Sequence, residues 1–216
     1  CFTATRKFDG RLQRPLDPAE IGQIAGRAGR HMRDGSFGTT TQIGGFDNDI
    51  VRAVEDHTFE PLQRIYWRNW RLDFNSIERL CRSLAIPPVE PELLRAREAN
   101  DERALRTLSK DRKICELTKT TDAVRLLWDV CRVPDFRGVM NDAHARFLEV
   151  LFRHLRTGNK RIPSDWMAEQ IGHHDQLSGD IDILTQRIAG VRTLTYISYQ
   201  PSWLEDATHW QERTRA

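Results

Sequence analysis

The sequence has few cysteines, no long apolar run and almost no net charge. Its four cysteines, at positions 1, 81, 115 and 131, form no CxxC pair. This scatter argues against a zinc site and fits a reducing compartment, and no other metal site is expected. No apolar stretch approaches the roughly 18 residues of a membrane-spanning helix, and no signal-peptide pattern is present. Because the chain opens on Cys1 rather than methionine, we expect a piece of a longer protein.

The charge balance excludes a protein that binds nucleic acid through a basic tail. The formal net charge of the 216 residues is +2, and it is unevenly distributed. Residues 1–45 hold seven Lys or Arg against four Asp or Glu, which gives +3, so the remainder holds 26 against 27, or −1. Any contact with nucleic acid must therefore come from local placement of basic residues rather than from bulk charge.

Residues 1–45 have the pattern of an α/β element. We predict strands over residues 1–5 and 35–43, and a hairpin turn at Asp9-Gly10. Asp17, Pro18 and Glu20 predict a helix start with a capping box. The pair Gly44-Gly45 marks the predicted boundary of this part.

Residues 46–216 are predicted to be mainly α-helical, with a possible split at the proline-rich stretch 86–91. The fold class is thus an α/β remnant followed by a helical region. The predicted helices cover residues 49–57, 75–84, 91–99, 101–109, 121–133, a stretch starting near 142, 180–198 and 203–212.

The most informative stretch is Gln23–Arg30, which reads QIAGRAGR. With Gly22 it places three glycines in a predicted helix, at a cost of about 3 kcal/mol relative to alanine. At 100° per residue, Ile21, Ile24, Ala25 and Ala28 would form a packing face. The glycines would form a bare stripe, and Gln23, Arg27 and Arg30 would share a polar edge.

Two guanidiniums this close repel each other, and an anion such as a phosphate between them makes the arrangement favourable. The competing interpretation is a surface helix whose glycines allow tight packing and whose arginines are solvated.

The pattern Gln-x-x-Gly-Arg-x-Gly-Arg, from Gln23 to Arg30, resembles motif VI of superfamily-two DExH-box helicases. Residues 2–10 and 18–22, together with the strand after the motif, resemble the mitochondrial degradosome RNA helicases and their bacterial relatives. The helical remainder, including Val124–Trp128 and Val133–Phe136, resembles the C-terminal region of that family. The resemblance implies that residues 1–45 end the second RecA-like domain of a helicase.

The resemblance also implies roles for individual residues. Arg27 and Arg30 would meet the γ-phosphate of ATP held by the first RecA-like domain, and Gln23 would position the nucleotide or the attacking water. Gly26 and Gly29 would let the two domains approach closely. The sequence holds no GxxxxGK[ST] loop and no DExH or DEAD box, so ATP and Mg²⁺ are expected on the full-length protein only. The fragment alone is expected to be inactive.

Two stretches are weaker candidates for contact with nucleic acid. Tyr66–Arg71 mixes aromatic rings with guanidiniums, as single-strand channels do. Its candidate residues are Arg64, Trp67, Arg68 and Arg71. The alternative is that Trp67 and Trp70 only pack the helical region onto the RecA-like domain. Lys160 and Arg161 form a basic turn that could contact phosphate, or an ordinary loop.

Two functions from different classes follow from these observations. The first is the C-terminal part of an ATP-dependent helicase, an NTP hydrolase acting on RNA rather than DNA by resemblance. The second is a non-catalytic helical adaptor that docks a protein partner such as a nuclease, which the near-neutral charge of residues 46–216 favours. No membrane partner is expected. The resemblance implies the bacterial cytoplasm, or the mitochondrial matrix if the source is eukaryotic.

Overall fold

The structure, a computed structural model, describes residues 1–8, 12–29, 34–136, 142–176 and 178–216. The chain divides into two compact units, Cys1–Gln63 and Arg64–Ala216, which we call the N-terminal and C-terminal units. The described residues form a mixed α/β arrangement followed by a helical one, with ten helices and four short strands in two small sheets. The predicted boundary after Gly45 lies inside the N-terminal unit, and the stretch 86–91 lies inside the C-terminal unit.

The N-terminal unit combines one β-hairpin with two helices. Its elements are β1 (Arg6–Phe8), β2 (Gln13–Pro15), α1 (Pro18–Ala25) and α2 (Asn48–Glu55). β1 and β2 pair antiparallel with Lys7 opposite Arg14, which confirms the predicted hairpin, although Asp9 and Gly10 lie outside the described residues.

The two longer strands predicted for this unit were wrong. Among the described residues of 1–5 and 35–43, the structure has a single parallel bridge between Phe2 and Thr39. Phe2 N donates to Gly38 O at 2.8 Å and Thr40 N donates to Phe2 O at 3.0 Å. The β-branched composition of residues 35–43 was therefore not sufficient to form a sheet.

A small apolar core holds the N-terminal unit together. Ile21 of α1, Val54 of α2 and Phe2 are buried, and partly buried rings, including those of Phe46 and Phe59, pack around them. Phe2 and Phe46 meet edge to face with centroids 5.2 Å apart. The hydrophobic face of α1 is thus occupied within its own unit.

The C-terminal unit contains the other two strands and eight helices of the described chain. Its elements are β3 (Ile65–Trp67), α3 (Ile77–Leu84), β4 (Leu93–Arg95), α4 (Asn100–Leu108), α5 (Arg112–Leu117), α6 (Thr121–Cys131), α7 (Asp142–Arg156), α8 (Ser164–Gly172), α9 (Ile181–Ser198) and α10 (Ala207–Arg215). One contiguous apolar core joins these helices, with Leu127, Leu148 and Phe152 fully buried at its centre.

The helix predicted over residues 91–99 was wrong, because its middle pairs as β4 with β3 in a parallel register that sets Trp67 opposite Arg95. Two further helices, α5 and α8, had not been predicted. The α3 helix is capped by Ser76, whose hydroxyl accepts from Arg79 N at 3.1 Å. No helix among the described residues is both long enough and apolar enough to cross a membrane.

Candidate phosphate and nucleic-acid sites

The α1 helix starts as its sequence predicted. The Asp17 carboxylate accepts from Glu20 N at 2.8 Å, and Asp17 N donates back to Glu20 Oε2 at 3.1 Å. Pro18 occupies the first turn, where its missing N–H leaves no bond unmade. This reciprocal cap fixes the start of the helix that leads into QIAGRAGR.

Glu20 also ties α1 to the β1–β2 hairpin. Arg14 binds both of its carboxylate oxygens, at 2.8 and 2.7 Å, and Lys7 forms an ion pair with it from the opposite strand. The bonds from Arg14 and then Lys7 lower the pKa of Glu20 to about 2. The helix orientation is thereby held by two strands as well as by the core.

The α1 helix ends earlier than the sequence suggested. Gly26 caps it by donating to Gly22 O at 2.9 Å, and Arg27 N and Ala28 N then bond to carbonyls three residues back. The expected single helix through Arg30 was therefore wrong, because the chain tightens into a turn at the first glycine of the motif. The expected packing face is also reduced, since Ile24 is 44% exposed and Ala28 is exposed.

Gln23 and Arg27 lie at the solvent-facing end of this helix and turn. Both side chains are exposed, and neither makes a hydrogen bond or ion pair with a described residue. Gly26 is exposed and Gly29 is half-buried. Arg30 lies outside the described residues, so the edge that it would share with Gln23 and Arg27 stays a prediction.

Gly22 before the motif and Gly35 after it allow close packing within the N-terminal unit. A Cβ added to Gly22 would lie 2.9 Å from Phe59 Cζ. A Cβ added to Gly35 would lie 2.4 Å from Gly29 N and 2.5 Å from the Ala28 carbonyl carbon. The turn that carries Arg27 is thus in backbone contact with the segment that follows it. Sequence reasoning missed Gly35 and Phe59, and the glycine at position 35 was the available signal.

Arg68 has a structural position in the C-terminal unit. Its guanidinium binds both oxygens of Asp101, at 2.8 and 2.9 Å, and its Nε lies 3.3 Å from the buried carboxylate of Glu102. It also stacks over Trp128, with 5.2 Å from Cζ to the ring centroid. Burial raises the pKa of Glu102 despite the nearby arginines. The contacts of Arg68 therefore bind β3 to α4 and α6.

Trp70 and Arg71 form an exposed pair next to Arg68. Trp70 is 75% exposed and the Arg71 guanidinium lies over its ring, at 5.1 Å from the centroid. Arg71 borders two open depressions of about 550 and 350 Å³. Arg79 and Arg82 line the first depression and Arg125 lines the second, while Asp73 lines both and pairs with Arg79 at 2.7 Å. The sequence did not single out these three arginines, because they come from two separate helices.

The remaining candidates are dispersed. Arg64 is exposed, and Trp67 is half-buried on β3. Lys160 is exposed with a positive φ of 58°, and Arg161 lies 3.8 Å from Glu205. Each of these side chains lies within the C-terminal unit, and none lines the depressions beside Arg71.

Within the described ranges, no cluster of three or more His, Cys, Asp or Glu residues has the arrangement of a metal site. The four cysteines are free, with Cys131 buried so that the pKa of its thiol is raised. Comparisons of the chain with protein-family models, with curated proteins and with solved structures return no match.

Proposed function

We propose that the chain is the C-terminal part of an ATP-dependent nucleic-acid helicase of superfamily two, with RNA as the favoured substrate. In this proposal residues 1–45 end the second RecA-like domain. The observation that carries it is the position of the QIAGRAGR motif. Its described residues Gln23 and Arg27 stand exposed at the end of α1, without a side-chain partner in the described chain, while Glu20 and Ile21 fix the helix behind them.

The residues present fit one half of a nucleotide site and not the other half. The sequence has no phosphate loop and no acidic box, and these would belong to a preceding domain. ATP and Mg²⁺ held there would supply the phosphoryl-transfer chemistry. The part of this chain would be to present the Arg27 and Arg30 guanidiniums to phosphate oxygens, and the amide of Gln23 beside them.

A rigid support would make the edge formed by Gln23, Arg27 and Arg30 more effective. Guanidiniums stabilise developing phosphate charge best when they are already in position, because no reorganisation is then needed at the moment of reaction. The backbone contact between Gly35 and the Ala28–Gly29 peptide supports this role for the turn. The test is ATP hydrolysis by the full-length protein with Arg27 and Arg30 replaced, as set out at the end of the Discussion.

In the C-terminal unit, the proposal assigns single-stranded RNA to the surface formed by Trp70, Arg71, Arg79, Arg82 and Arg125. An exposed indole offers a stacking face to any base, and the guanidiniums of Arg71 and Arg125 can contact a phosphate backbone. Arg79 and Arg82 are paired with Asp73 and Glu78, at 2.7 and 3.4 Å. Of the residues suggested by sequence, Arg71 belongs to this surface. Arg68 is not assigned to it, because both of its terminal nitrogens are bound to Asp101.

The second candidate function is a non-catalytic adaptor that docks a protein partner such as a nuclease. The net charge of −1 over residues 46–216 favours it for that region. The reading frame before Cys1 separates the two functions. A phosphate loop and an acidic box there support the helicase, and their absence refutes it.

A further inference from the structure

A second surface of the C-terminal unit lies on α9 and has no role in the proposed nucleotide or RNA sites. This helix runs for 18 residues, or about 27 Å. Its inner side is buried through residues that include Ala189, Leu194 and Ile197. One strip of its outer side is also apolar, since Ile181 and Ile188 are exposed there.

Four apolar residues and one threonine on α9 follow a heptad. Ile181, Leu184, Ile188, Val191 and Thr195 are spaced three and four residues apart in alternation, as a and d positions are. Ile181 is 81% exposed and Ile188 is 62% exposed. Leu184, Val191 and Thr195 are half-buried. Such a seam is the pattern by which one helix packs along another.

Four of the five seam residues, Leu184, Ile188, Val191 and Thr195, line a groove of about 650 Å³ together with the C-terminal ends of α8 and α10. Ile171 of α8 adds to its apolar lining, and no Phe, Tyr or Trp occurs among the described residues that line it. Its apolar lining is aliphatic and its polar lining includes His174, and an aliphatic strip of this kind suits an apolar helix face. It is a poor platform for stacked bases.

Four arginines surround the groove, namely Arg187, Arg192, Arg213 and Arg215. Asp175 is the one acidic side chain among its described lining residues, and it lies 3.8 Å from Arg213. The rim is therefore strongly basic, in a region whose overall charge is close to zero.

Three of these guanidiniums are held in place by neutral groups. Arg187 donates to Gln176 O and Gln176 Oε1, each at 2.9 Å, and also to the Ser178 carbonyl. Arg192 stacks over Phe136 at 4.3 Å, and Arg215 stacks over Tyr199 at 5.6 Å. These contacts orient the side chains without neutralising them, so their charge remains available to carboxylates.

We infer that the α9 groove binds an amphipathic helix of a partner protein, with an apolar stripe flanked by Asp or Glu residues. Arg187 and Arg192 occupy g and e positions of the seam, where coiled coils place the charges that select a partner. A second copy of this chain would set arginine against arginine there. Charge complementarity therefore favours an acidic partner over self-association, and this inference does not depend on the role of Arg27 or Arg30.

The test uses the 216-residue chain and two synthetic helical peptides, both with leucine at a and d. One peptide has glutamate at e and g, and the matched peptide has lysine there. In fluorescence anisotropy we expect saturable binding of the glutamate peptide and much weaker binding of the lysine peptide. Arg192→Glu should weaken binding of the glutamate peptide and strengthen binding of the lysine peptide. Ile188→Asp should weaken binding of the glutamate peptide about tenfold or more, because it places a charge at the centre of the seam.

The control variant is Gln186→Asp, which adds the same charge to an exposed position of α9 that does not line the groove. It should bind the glutamate peptide as the unmodified chain does. Urea denaturation followed by tryptophan fluorescence checks that each variant is folded.

Several outcomes overturn the inference. These are equal affinity for the two peptides, no saturable binding of the glutamate peptide, and no effect of Ile188→Asp on that binding. It is also overturned if Ile188→Asp instead abolishes a dimer seen by sedimentation, or abolishes binding to anionic vesicles or to poly(U).

Discussion

Gly35 lies against the peptide between Ala28 and Gly29 so closely that a Cβ at position 35 would stand 2.4 Å from Gly29 N. The side of the motif turn that faces Gly35 is therefore backbone packed on backbone. This contact joins the segment after the motif to the turn that carries Arg27. A residue outside QIAGRAGR therefore helps to hold the turn in place.

Gly35→Ala should destabilise the N-terminal unit by about 1–3 kcal/mol, because the added methyl group meets backbone that cannot rotate away. The matched control is Gly38→Ala, where a Cβ would meet no heavy atom within 4 Å. The measurement is denaturant unfolding followed by the amide NMR signals of residues in α1 and α2. Equal stability of the two variants would contradict the close contact.

The six tryptophans all lie at position 67 or later, so their fluorescence reports on the C-terminal unit alone. The two units can therefore be followed separately in one sample. Unfolding of the N-terminal unit is read from NMR, and unfolding of the C-terminal unit from fluorescence.

The N-terminal unit should lose stability in acid through Glu20. The pKa of Glu20 is lowered from 4.5 to about 2 by its bonds to Arg14 and Lys7. Its contribution is therefore complete above about pH 4.5 and is lost as the pH falls towards 2. Glu20→Gln should lower stability at neutral pH and flatten this part of the pH profile. Because the side chain is partly exposed, salt should also reduce the difference between the two proteins.

Arg68→Ala should destabilise the C-terminal unit by about 3 kcal/mol, because it leaves the buried Glu102 carboxylate without its nearest cation. Arg64→Ala should change stability by less than about 0.5 kcal/mol, since that side chain is exposed. Urea denaturation with fluorescence detection compares them. If Arg68→Ala is as stable as Arg64→Ala, the role assigned to the bonds with Asp101 and Glu102 is wrong.

Trp70→Ala should weaken binding of single-stranded RNA about tenfold, which corresponds to the loss of one stacked base. Arg71→Ala should weaken it as well and should also reduce the salt dependence of binding. Lys113→Ala, an exposed cation on α5, is the control and should leave affinity unchanged. A wild-type affinity for Trp70→Ala, measured by anisotropy of labelled oligonucleotides, would remove this surface from the proposal.

Local signals in the sequence predicted local structure well. The capping box of Asp17 and Glu20 acts within four residues, so it was readable, and the structure confirms it. The turn at Gly26 was harder to predict, because the periodic pattern continued through Arg30 and outweighed the glycines that end the helix.

Contacts between residues far apart in the chain could not be predicted from the sequence. Residues 93–95 pair with β3 across 28 positions of sequence, which local propensity cannot anticipate. In the same way, Arg68 looked like an RNA contact because its partner Asp101 is 33 residues away. Arg79 and Arg125, which line the two depressions that Arg71 borders, belong to different helices, so no local pattern relates them.

The most direct test is ATP hydrolysis by the full-length protein in the presence of single-stranded RNA. Arg27→Ala and Arg30→Ala are compared with Arg52→Ala, an exposed arginine of α2 in the same unit. We predict that each of the first two lowers kcat about a thousandfold while the fold persists, and that Arg52→Ala leaves kcat unchanged. Hydrolysis at the wild-type rate by the Arg27 and Arg30 variants would contradict the proposed phosphate-facing role of QIAGRAGR.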